Sequence, residues 1–335
     1  MTDTKSDIPS VVERTRPFQA DAPVVAAHFL GQTAVFVLGE EKLLFVPKTG
    51  DVRTAAVHGG AILCSTADAG RIVTGGDDGK VVSTDAEGDG TVVATDGKRR
   101  WIDHVAVGPN GAVAWSAGKQ AFARSGKGPE RMLEVPSTVG GLAFAPKGVR
   151  LAIAHYNGVT LWFANAQSAP ETLEWKGSHL AALMSPDGRF VVTSMQESTL
   201  HGWRLADRKD MRMSGYSARV RSLDWTVGGK WLATSGSTQL ILWPFQAKDG
   251  PMGKTPRILA PAEAQVEVVA CHPKQEVVAV GYADGLVLLA RLDDGAEVLA
   301  RRPGDAPVRT LAWSATGNLP AVAAEDGAAG VIDLA

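Results

Sequence analysis

The sequence of 335 residues is poor in cysteine and has no excess of charge of either sign. Its two cysteines, Cys64 and Cys271, lie far apart, each within an apolar strand pattern. This number excludes a disulfide framework and a CxxC metal knuckle. The chain has 34 lysines and arginines against 36 aspartates and glutamates. A dedicated nucleic-acid binder usually has a clear basic excess, so nucleic acid is not the expected partner.

Long apolar segments are also missing. No stretch approaches the roughly 18 consecutive apolar residues that a membrane-spanning helix needs, and no segment keeps an apolar period of 3.6 residues long enough for a helical solenoid. Residues 1–13 are polar and of mixed charge, without the apolar run of a signal peptide. We therefore expect a cytoplasmic protein without membrane insertion, in which residues 1–13 form a disordered lead.

A pattern of short apolar strands and tight turns recurs at intervals of about 40 residues. A clear copy runs from Leu180 to Leu205. It contains an apolar strand, the turn Ser185-Pro186-Asp187-Gly188, a second apolar strand and a third strand that ends in Trp203. Gly and Pro, at 37 and 18 residues, supply many further turn positions. The pattern predicts four short antiparallel strands per unit.

Counting the copies predicts eight units. Strands this short and apolar are typical of small sheets that are buried on both faces, as in the stacked blades of a propeller. The eighth unit lacks a fourth strand, while Arg14–Ala20 is a strand without a unit. We therefore predict one propeller domain over residues 14–335 with eight four-stranded blades, closed by the N-terminal strand in the last blade; seven blades is the alternative. The units begin near Val24, Ala61, Ile102, Val139, Leu180, Val220, Val266 and Val308.

These units resemble the repeats of the WD40 family over roughly residues 14–335. The segment from Val139 to Pro146 matches the opening of the family pattern, and Leu161-Trp162 and Leu242-Trp243 match its end. The sequence departs from the family in two ways. The opening Gly-His is nearly absent, with Ser178-His179 as its closest remnant, and most units replace the closing Trp. The resemblance implies a β-propeller in which most blades lack the family's buried Asp-His-Ser-Trp hydrogen-bond network.

The sequence shows no catalytic or cofactor-binding motif. Its seven histidines are scattered without an HExxH motif, and the acid pairs fall in predicted turns. The Gly-rich segment 75–79 lies between two strands, so we interpret it as a hairpin turn and not as a phosphate loop. We expect no enzyme activity, no cofactor and no metal. A channel site for a metal or small ligand, with hydrolysis as one activity, stays open because ligands from different blades can converge.

Two groups of basic residues leave a further alternative open, the binding of RNA or another anionic ligand. The first group places an aromatic ring beside three cations in a loop between units, which suits phosphate or carboxylate contacts and stacking. The more ordinary interpretation is a solvated loop. The groups are Lys98-Arg99-Arg100-Trp101 and the set Arg204, Arg208, Lys209, Arg212, Arg219 and Arg221.

The favoured function is a non-catalytic protein–protein interaction scaffold. In the WD40 family, the loops between second and third strands and those that enter each first strand emerge on one face, and the resemblance implies such a face here. Its residue types are those enriched in interface cores. We expect a protein partner, which the sequence does not identify, and a monomeric folded unit. The candidate residues are Trp101, His155, Tyr156, His179, Met195, Arg219, Arg221, Tyr282 and Arg309.

Overall fold

A computed structural model describes residues 8–126 and 128–335. These residues form thirty strands and three single-turn 3-10 helices, so the all-β class is confirmed. The 3-10 turns are Val12–Arg14, Pro109–Gly111 and Val227–Gly229. The first thirteen strands are β1 Thr15–Gln19, β2 Val24–Leu30, β3 Thr33–Leu38, β4 Lys42–Pro47, β5 Arg53–Ala56, β6 Ile62–Ala67, β7 Ile72–Gly76, β8 Lys80–Thr84, β9 Gly90–Thr95, β10 His104–Val107, β11 Val113–Ala117, β12 Gln120–Arg124 and β13 Arg131–Glu134.

Two consecutive strands near the middle of the chain are much longer than the others, at 14 residues each. They are β15 and β16 in the following series. The remaining strands are β14 Gly141–Phe144, β15 Arg150–Phe163, β16 Glu171–Met184, β17 Phe190–Met195, β18 Leu200–Arg204, β19 Lys209–Met213, β20 Leu223–Trp225, β21 Trp231–Thr234, β22 Leu240–Pro244, β23 Arg257–Leu259, β24 Val266–Cys271, β25 Val277–Tyr282, β26 Val287–Arg291, β27 Glu297–Arg301, β28 Val308–Trp313, β29 Pro320–Ala324 and β30 Ala328–Ile332.

The described residues form seven sheets, and this number overturns the prediction of eight blades. Six sheets have four strands, and the seventh has six strands in the order β14 to β19. The units predicted to begin at Val139 and Leu180 share this six-stranded sheet, because β16 continues through Leu180 and pairs with both β15 and β17. The four-stranded sheets are β2 to β5, β6 to β9, β10 to β13, β20 to β23, β24 to β27, and β1-β30-β29-β28.

A bulge in β15 explains how this strand continues. The pairing of β15 with β16 shifts its register between Tyr156 and Gly158. Asn157 and Gly158 both have positive φ, at 69° and 149°. A Cβ on Gly158 would lie 2.2 Å from the carbonyl oxygen of Leu173. Glycine therefore lets the two backbones approach closely while the chain stays in the sheet.

Replacing Gly158 with alanine is expected to lower the free energy of unfolding by about 1–3 kcal/mol, through backbone strain and the contact with Leu173. Urea denaturation provides the measurement. Gly97→Ala is the matched control, since a Cβ at Gly97 meets no atom within 4 Å and its φ is not in the left-handed region. The control is expected to stay within about 0.5 kcal/mol of wild type. Equal effects of the two substitutions would contradict a close approach at the bulge.

The N-terminal strand completes the last sheet, as predicted. β1 pairs with β30 from Thr15 opposite Ile332 to Gln19 opposite Ala328. Residues 8–13 of the predicted lead lie beside β27 in the structure. There the Leu299 amide donates to the Pro9 carbonyl at 2.7 Å, and the Val11 amide donates to the Leu299 carbonyl at 2.9 Å. These bonds hold the segment against β27. Residues 1–7, the rest of the predicted lead, lie outside the described residues.

Contacts divide the chain into two compact units, each with its own apolar clusters. The first unit comprises residues 1–38, 44–53 and 216–335, and the second comprises residues 39–43 and 54–215. Phe36 and Leu288 are fully buried in clusters of the first unit, and Ile153 and Ala152 in clusters of the second. A single domain over residues 14–335 stays a prediction. Within the described residues, no helix is long and apolar enough to span a membrane.

Candidate functional site

The nine residues predicted to form a binding face divide into exposed and buried side chains. Trp101 and Tyr156 are 63% and 51% exposed, and Arg219, Arg221 and Arg309 are also exposed. Four others are buried, so their side chains are not available to a partner in this structure. These are His155, His179, Met195 and Tyr282, with exposures of 2%, 1%, 4% and 0%. That the five exposed residues contact a partner stays a prediction.

The buried histidines serve as internal anchors. The Nε2 atom of His179 is 3.0 Å from the carbonyl oxygen of Trp175, and its Nδ1 atom is 2.7 Å from the Thr193 hydroxyl. His155 uses both ring nitrogens in the same way, toward the Tyr156 carbonyl and the Thr160 hydroxyl. Burial lowers the pKa of His179, so its ring is neutral at pH 7. These histidines therefore position the adjacent Trp175 and Tyr156.

In two further sheets, a buried threonine on the second strand bonds in the same way to the side chain of a histidine or tyrosine. His58 bonds to Thr74 at 2.8 Å, and Tyr216 bonds to Thr234 at 2.9 Å. The Trp243 indole N–H in turn donates to the Tyr216 hydroxyl at 2.7 Å. The sequence analysis missed His58 and Tyr216 as anchors. The signal was an imidazole or phenol ring that precedes a threonine of an apolar strand by 14 to 18 residues.

An open groove lies at the irregular part of the six-stranded sheet, within the second unit. Its volume is about 570 Å³. The side chains that line it combine two aromatic rings, a methionine and three charged groups, and we call it the β15–β16 groove. These residues are Tyr156, Trp175, Lys176, Met195, Glu197 and Arg212. Two of them, Tyr156 and Met195, belong to the predicted face.

The groove exists because no loop separates the two halves of β16. Nine residues separate the end of β19 from the start of β20 in the sheet that follows, whereas β16 continues through Lys176 and Gly177. The Gly177 amide donates to the Asn157 side-chain oxygen at 3.2 Å, which ties the two long strands together. A Cβ on Gly177 would lie 2.7 Å from the Met195 methyl carbon. Glycine at this position therefore leaves room for Met195 beneath the groove.

The floor of the β15–β16 groove is rigidly supported. The Trp175 ring stacks on the ring of His201, with centroids 4.0 Å apart and an interplanar angle of 17°. His201 is completely buried, and burial, followed by the nearby His179 and Arg212, lowers its pKa to about 3. The imidazole is therefore neutral at physiological pH and acts as an aromatic support. Charge at the groove comes from the exposed Lys176, Glu197 and Arg212.

Several cations of the two basic groups are held in ion pairs. Arg204 pairs with Asp207 at 2.6 Å, and Arg208 pairs with Glu171. Arg100 donates to Asp96 at 2.6 Å and to Gln120 at 2.9 Å. Among the described residues of the second unit, the exposed cations of these groups that form no ion pair are Lys98, Arg99, Lys209 and Arg212.

The first unit offers a smaller site around the predicted arginines. Arg221 forms an ion pair with Glu267 at 3.3 Å. The cavity beside Arg219 and Arg221 has a volume of only about 70 Å³. This volume is well below the 300–1,000 Å³ that is usual for ligand pockets. The β15–β16 groove is therefore the stronger candidate.

The described part of the chain contains no group of three or more His, Cys, Asp or Glu residues arranged to hold a metal ion. The two cysteines are poor nucleophiles, because burial raises the pKa of Cys64 to about 12 and raises that of Cys271 well above its ordinary value. A thiol of such pKa remains protonated at pH 7. The feature that the geometry does provide is an open, partly aromatic groove.

Two family models match parts of the chain. The model of the anaphase-promoting complex subunit 4 WD40 domain matches residues 268–335, and that of the WD domain, G-beta repeat, matches residues 209–244. The second match ends with Trp243 and Pro244, at the close of β22. This chain carries WD40 repeats in these segments. The resemblance read from the repeats is therefore confirmed.

Solved structures support the same fold for the WD40-repeat protein. It superposes on the C-terminal WD40 domain of Sif2 with a TM-score of 0.78, covering 98% of this chain and 99% of that one at 13% identity. It superposes on the computationally designed Ika8 protein with a TM-score of 0.75 at 17% identity, covering 94% and 97% of the two chains. These similarities establish a propeller fold and carry no information on the partner.

Similar sequences cover only parts of the chain. The ribosome biogenesis protein WDR12 homolog of Drosophila mojavensis is 22% identical over 143 residues, which is 41% of this chain and 34% of the fly protein. THO complex subunit 3 of Arabidopsis thaliana is 25% identical over 171 residues, or 50% of this chain and 52% of the plant protein. The matched segments thus span about a third to a half of these relatives.

Proposed function

We propose that this WD40-repeat protein is a non-catalytic scaffold that binds a protein partner in the β15–β16 groove. The observation that carries the proposal is the groove itself, where a half-exposed Tyr156 stands beside Trp175 and Arg212, above the buried Met195. Tyr, Trp and Arg are residue types enriched in interface cores and hot spots. A volume of about 570 Å³ accommodates a few side chains of a partner segment.

The support beneath the groove favours binding. Trp175 is stacked on a buried, neutral His201, and the Tyr156 amide donates to the Ser137 hydroxyl at 2.8 Å. The Trp175 ring and the Tyr156 backbone are therefore held before a partner arrives. Little conformational entropy is lost when a surface of this kind binds, and more of the interaction energy appears as affinity.

The names of two relatives agree with a role in assemblies. One relative is named as a ribosome biogenesis protein and another as a subunit of the THO complex. We propose a comparable role in assembly for this chain, without assigning it to either process. A cytoplasmic location and a monomeric folded unit are part of the same proposal.

Affinity capture from a lysate of the source organism tests the groove. The tagged full chain is compared with Tyr156→Ala and with the matched control Phe163→Ala, which removes another half-exposed aromatic ring from β15. We expect Tyr156→Ala to reduce the captured partner by about tenfold, in the range of a hot-spot residue, while Phe163→Ala leaves capture unchanged. Both variants should keep the wild-type melting temperature.

Equal capture by the wild type and by Tyr156→Ala would contradict the proposal, as would equal losses in the two variants. In the second case the binding surface would lie along the whole strand and not in the groove.

A further inference from the structure

The loop between β9 and β10 is held rigidly from within. The Asp96 carboxylate accepts hydrogen bonds from the amides of Lys98 at 2.9 Å and Arg100 at 3.1 Å. The Arg100 side chain then bridges Asp96 and Gln120. This pairing with Arg100 lowers the pKa of Asp96, so the carboxylate stays charged at neutral pH and keeps its donors.

The end of the same loop is fixed as well. Ile102 is completely buried, and its amide donates to the Gly76 carbonyl at 3.1 Å. The φ of Arg99 is 53°, in the left-handed region. Its Cα packs closely against Gly79, because a Cβ added to Gly79 would lie only 3.0 Å from it. A bulky residue in this region is uncommon and persists only where its surroundings impose it. The side chains of the loop therefore project from a preorganised backbone.

Three of these side chains point away from the protein. All nine tryptophans lie in the described residues, and Trp101 is the only one of them that is mainly exposed, at 63%. Lys98 and Arg99 are also exposed. Among the ion pairs of residues 8–126 and 128–335, Arg100 of this loop has a carboxylate partner, Asp96, whereas Lys98 and Arg99 have none.

Nearby carboxylates are turned toward the protein. Asp78 accepts from the Gly59 amide at 3.0 Å and contacts the His58 ring. Asp103 accepts from the Gly118 amide at 2.8 Å. The outer side of the loop thus presents an indole and two cations that form no ion pair with a carboxylate of the described residues.

We propose that Lys98, Arg99 and Trp101 form a second contact of the scaffold, which recognises an acidic segment of a partner protein that also carries an apolar side chain. This inference rests on the proposed protein-binding function and adds the chemistry of the partner. Carboxylates of the segment pair with Lys98 and Arg99, and the apolar side chain packs on the Trp101 indole.

The number of cations favours an acidic protein segment over RNA. Binding of RNA draws most of its affinity from many phosphate contacts and the release of their counterions. This loop offers two uncommitted cations, and the whole chain has a net charge of −2. Two cations beside one aromatic ring are enough for a short acidic segment, whose affinity depends on a few well-placed contacts.

Selection from a library of short random peptides displayed on phage tests the proposal with the full chain as bait. Selected peptides are synthesised, and their dissociation constants are measured for wild type, Trp101→Ala and the double variant Lys98→Glu/Arg99→Glu. Lys147→Glu is the matched control, because Lys147 is another exposed lysine of the second unit. Oligouridylate is titrated in parallel. Thermal melting establishes that each variant is folded.

We expect the selected peptides to be enriched in Asp and Glu relative to the starting library. Trp101→Ala and the double variant should each weaken binding by about tenfold, while Lys147→Glu should leave it within about twofold. The absence of any selected peptide, selection of neutral or basic peptides, or binding that ignores the loop variants would overturn the proposal. Tighter binding of oligouridylate would overturn it in favour of RNA. If the loop proposal failed in one of these ways while Tyr156→Ala still reduced capture of the partner, the groove proposal would stand.

Discussion

Replacing Trp243 with alanine is expected to lower the free energy of unfolding by about 3–5 kcal/mol, as for other buried large aromatic side chains. Trp243 is only 6% exposed. Its indole N–H donates to the Tyr216 hydroxyl at 2.7 Å, and that hydroxyl contacts Thr234 at 2.9 Å. The substitution leaves a cavity in the sheet of β20 to β23 and removes one donor from a buried polar chain.

Urea denaturation of the full chain measures this effect, and Trp243→Phe separates its two parts. Phenylalanine retains most of the ring volume but lacks the N–H, so it leaves the buried Tyr216 hydroxyl with one partner fewer. A loss of about 1–2 kcal/mol is expected for that change alone. A loss below about 1 kcal/mol for Trp243→Ala would fall within the range of surface substitutions and contradict the buried position.

Deleting residues 1–20 is expected to lower the melting temperature by about 10 °C or more. The deletion removes β1 and leaves β30 as an unpaired edge of the last sheet. It also removes Phe18, whose ring meets the Phe36 ring edge-to-face with centroids 5.0 Å apart. The expected loss in the free energy of unfolding is several kcal/mol. A loss of 1 kcal/mol lowers the melting temperature by about 2–4 °C in a domain of 150–250 residues.

Rescue in trans distinguishes the loss of this strand from unspecific damage. A synthetic peptide of residues 8–20 is added to the truncated chain, and a peptide of the same composition in scrambled order is the control. The native peptide should restore part of the lost melting temperature, because a ligand that binds the folded state stabilises it. An unchanged melting curve after the deletion would show that β1 contributes little to the last sheet.

Much of the fold was readable from the sequence because its strands and turns carry local signals. The segment Gly76-Asp77-Asp78-Gly79 predicted a hairpin turn, and the structure places it between β7 and β8, with Gly79 at a φ of 76°. The unpaired strand near the N-terminus was also predictable, since the last unit lacked a fourth strand. Strand periodicity and glycines with positive φ depend on residues that are close together in the sequence, so both can be recognised from the sequence alone.

The number of sheets was not readable in the same way. The dipeptide Asn157-Gly158 is typical of a turn between two strands, whereas the structure uses it as a bulge inside β15. Both features require positive φ, which Asn and Gly adopt readily, so the same dipeptide suits either outcome. The choice depends on whether β16 remains paired across the bulge, and that pairing involves residues about 20 positions later.

The candidate site was predicted only in part. Tyr156 was identified and is half exposed, but the neighbouring His155 is 2% exposed. Adjacent residues of a strand point to opposite faces, and a sequence beside a bulge does not reveal which residue faces outward. Trp175 was missed because its position in the groove depends on stacking against His201, 26 residues further along the chain, which no local pattern indicates.

Site-specific photo-crosslinking tests the central claim, that a protein partner occupies the β15–β16 groove. A photoreactive amino acid is placed at Lys176, which lines the groove, and in a second variant at Lys147, an exposed residue in the turn between β14 and β15. Both lysines belong to the region of the same six-stranded sheet, and β15 leads from the turn at Lys147 to the bulge beside the groove. After irradiation in cells of the source organism, we predict a crosslinked protein from position 176 and none from position 147. Crosslinking of the same protein from position 147 alone, or no crosslink from position 176, would contradict the account.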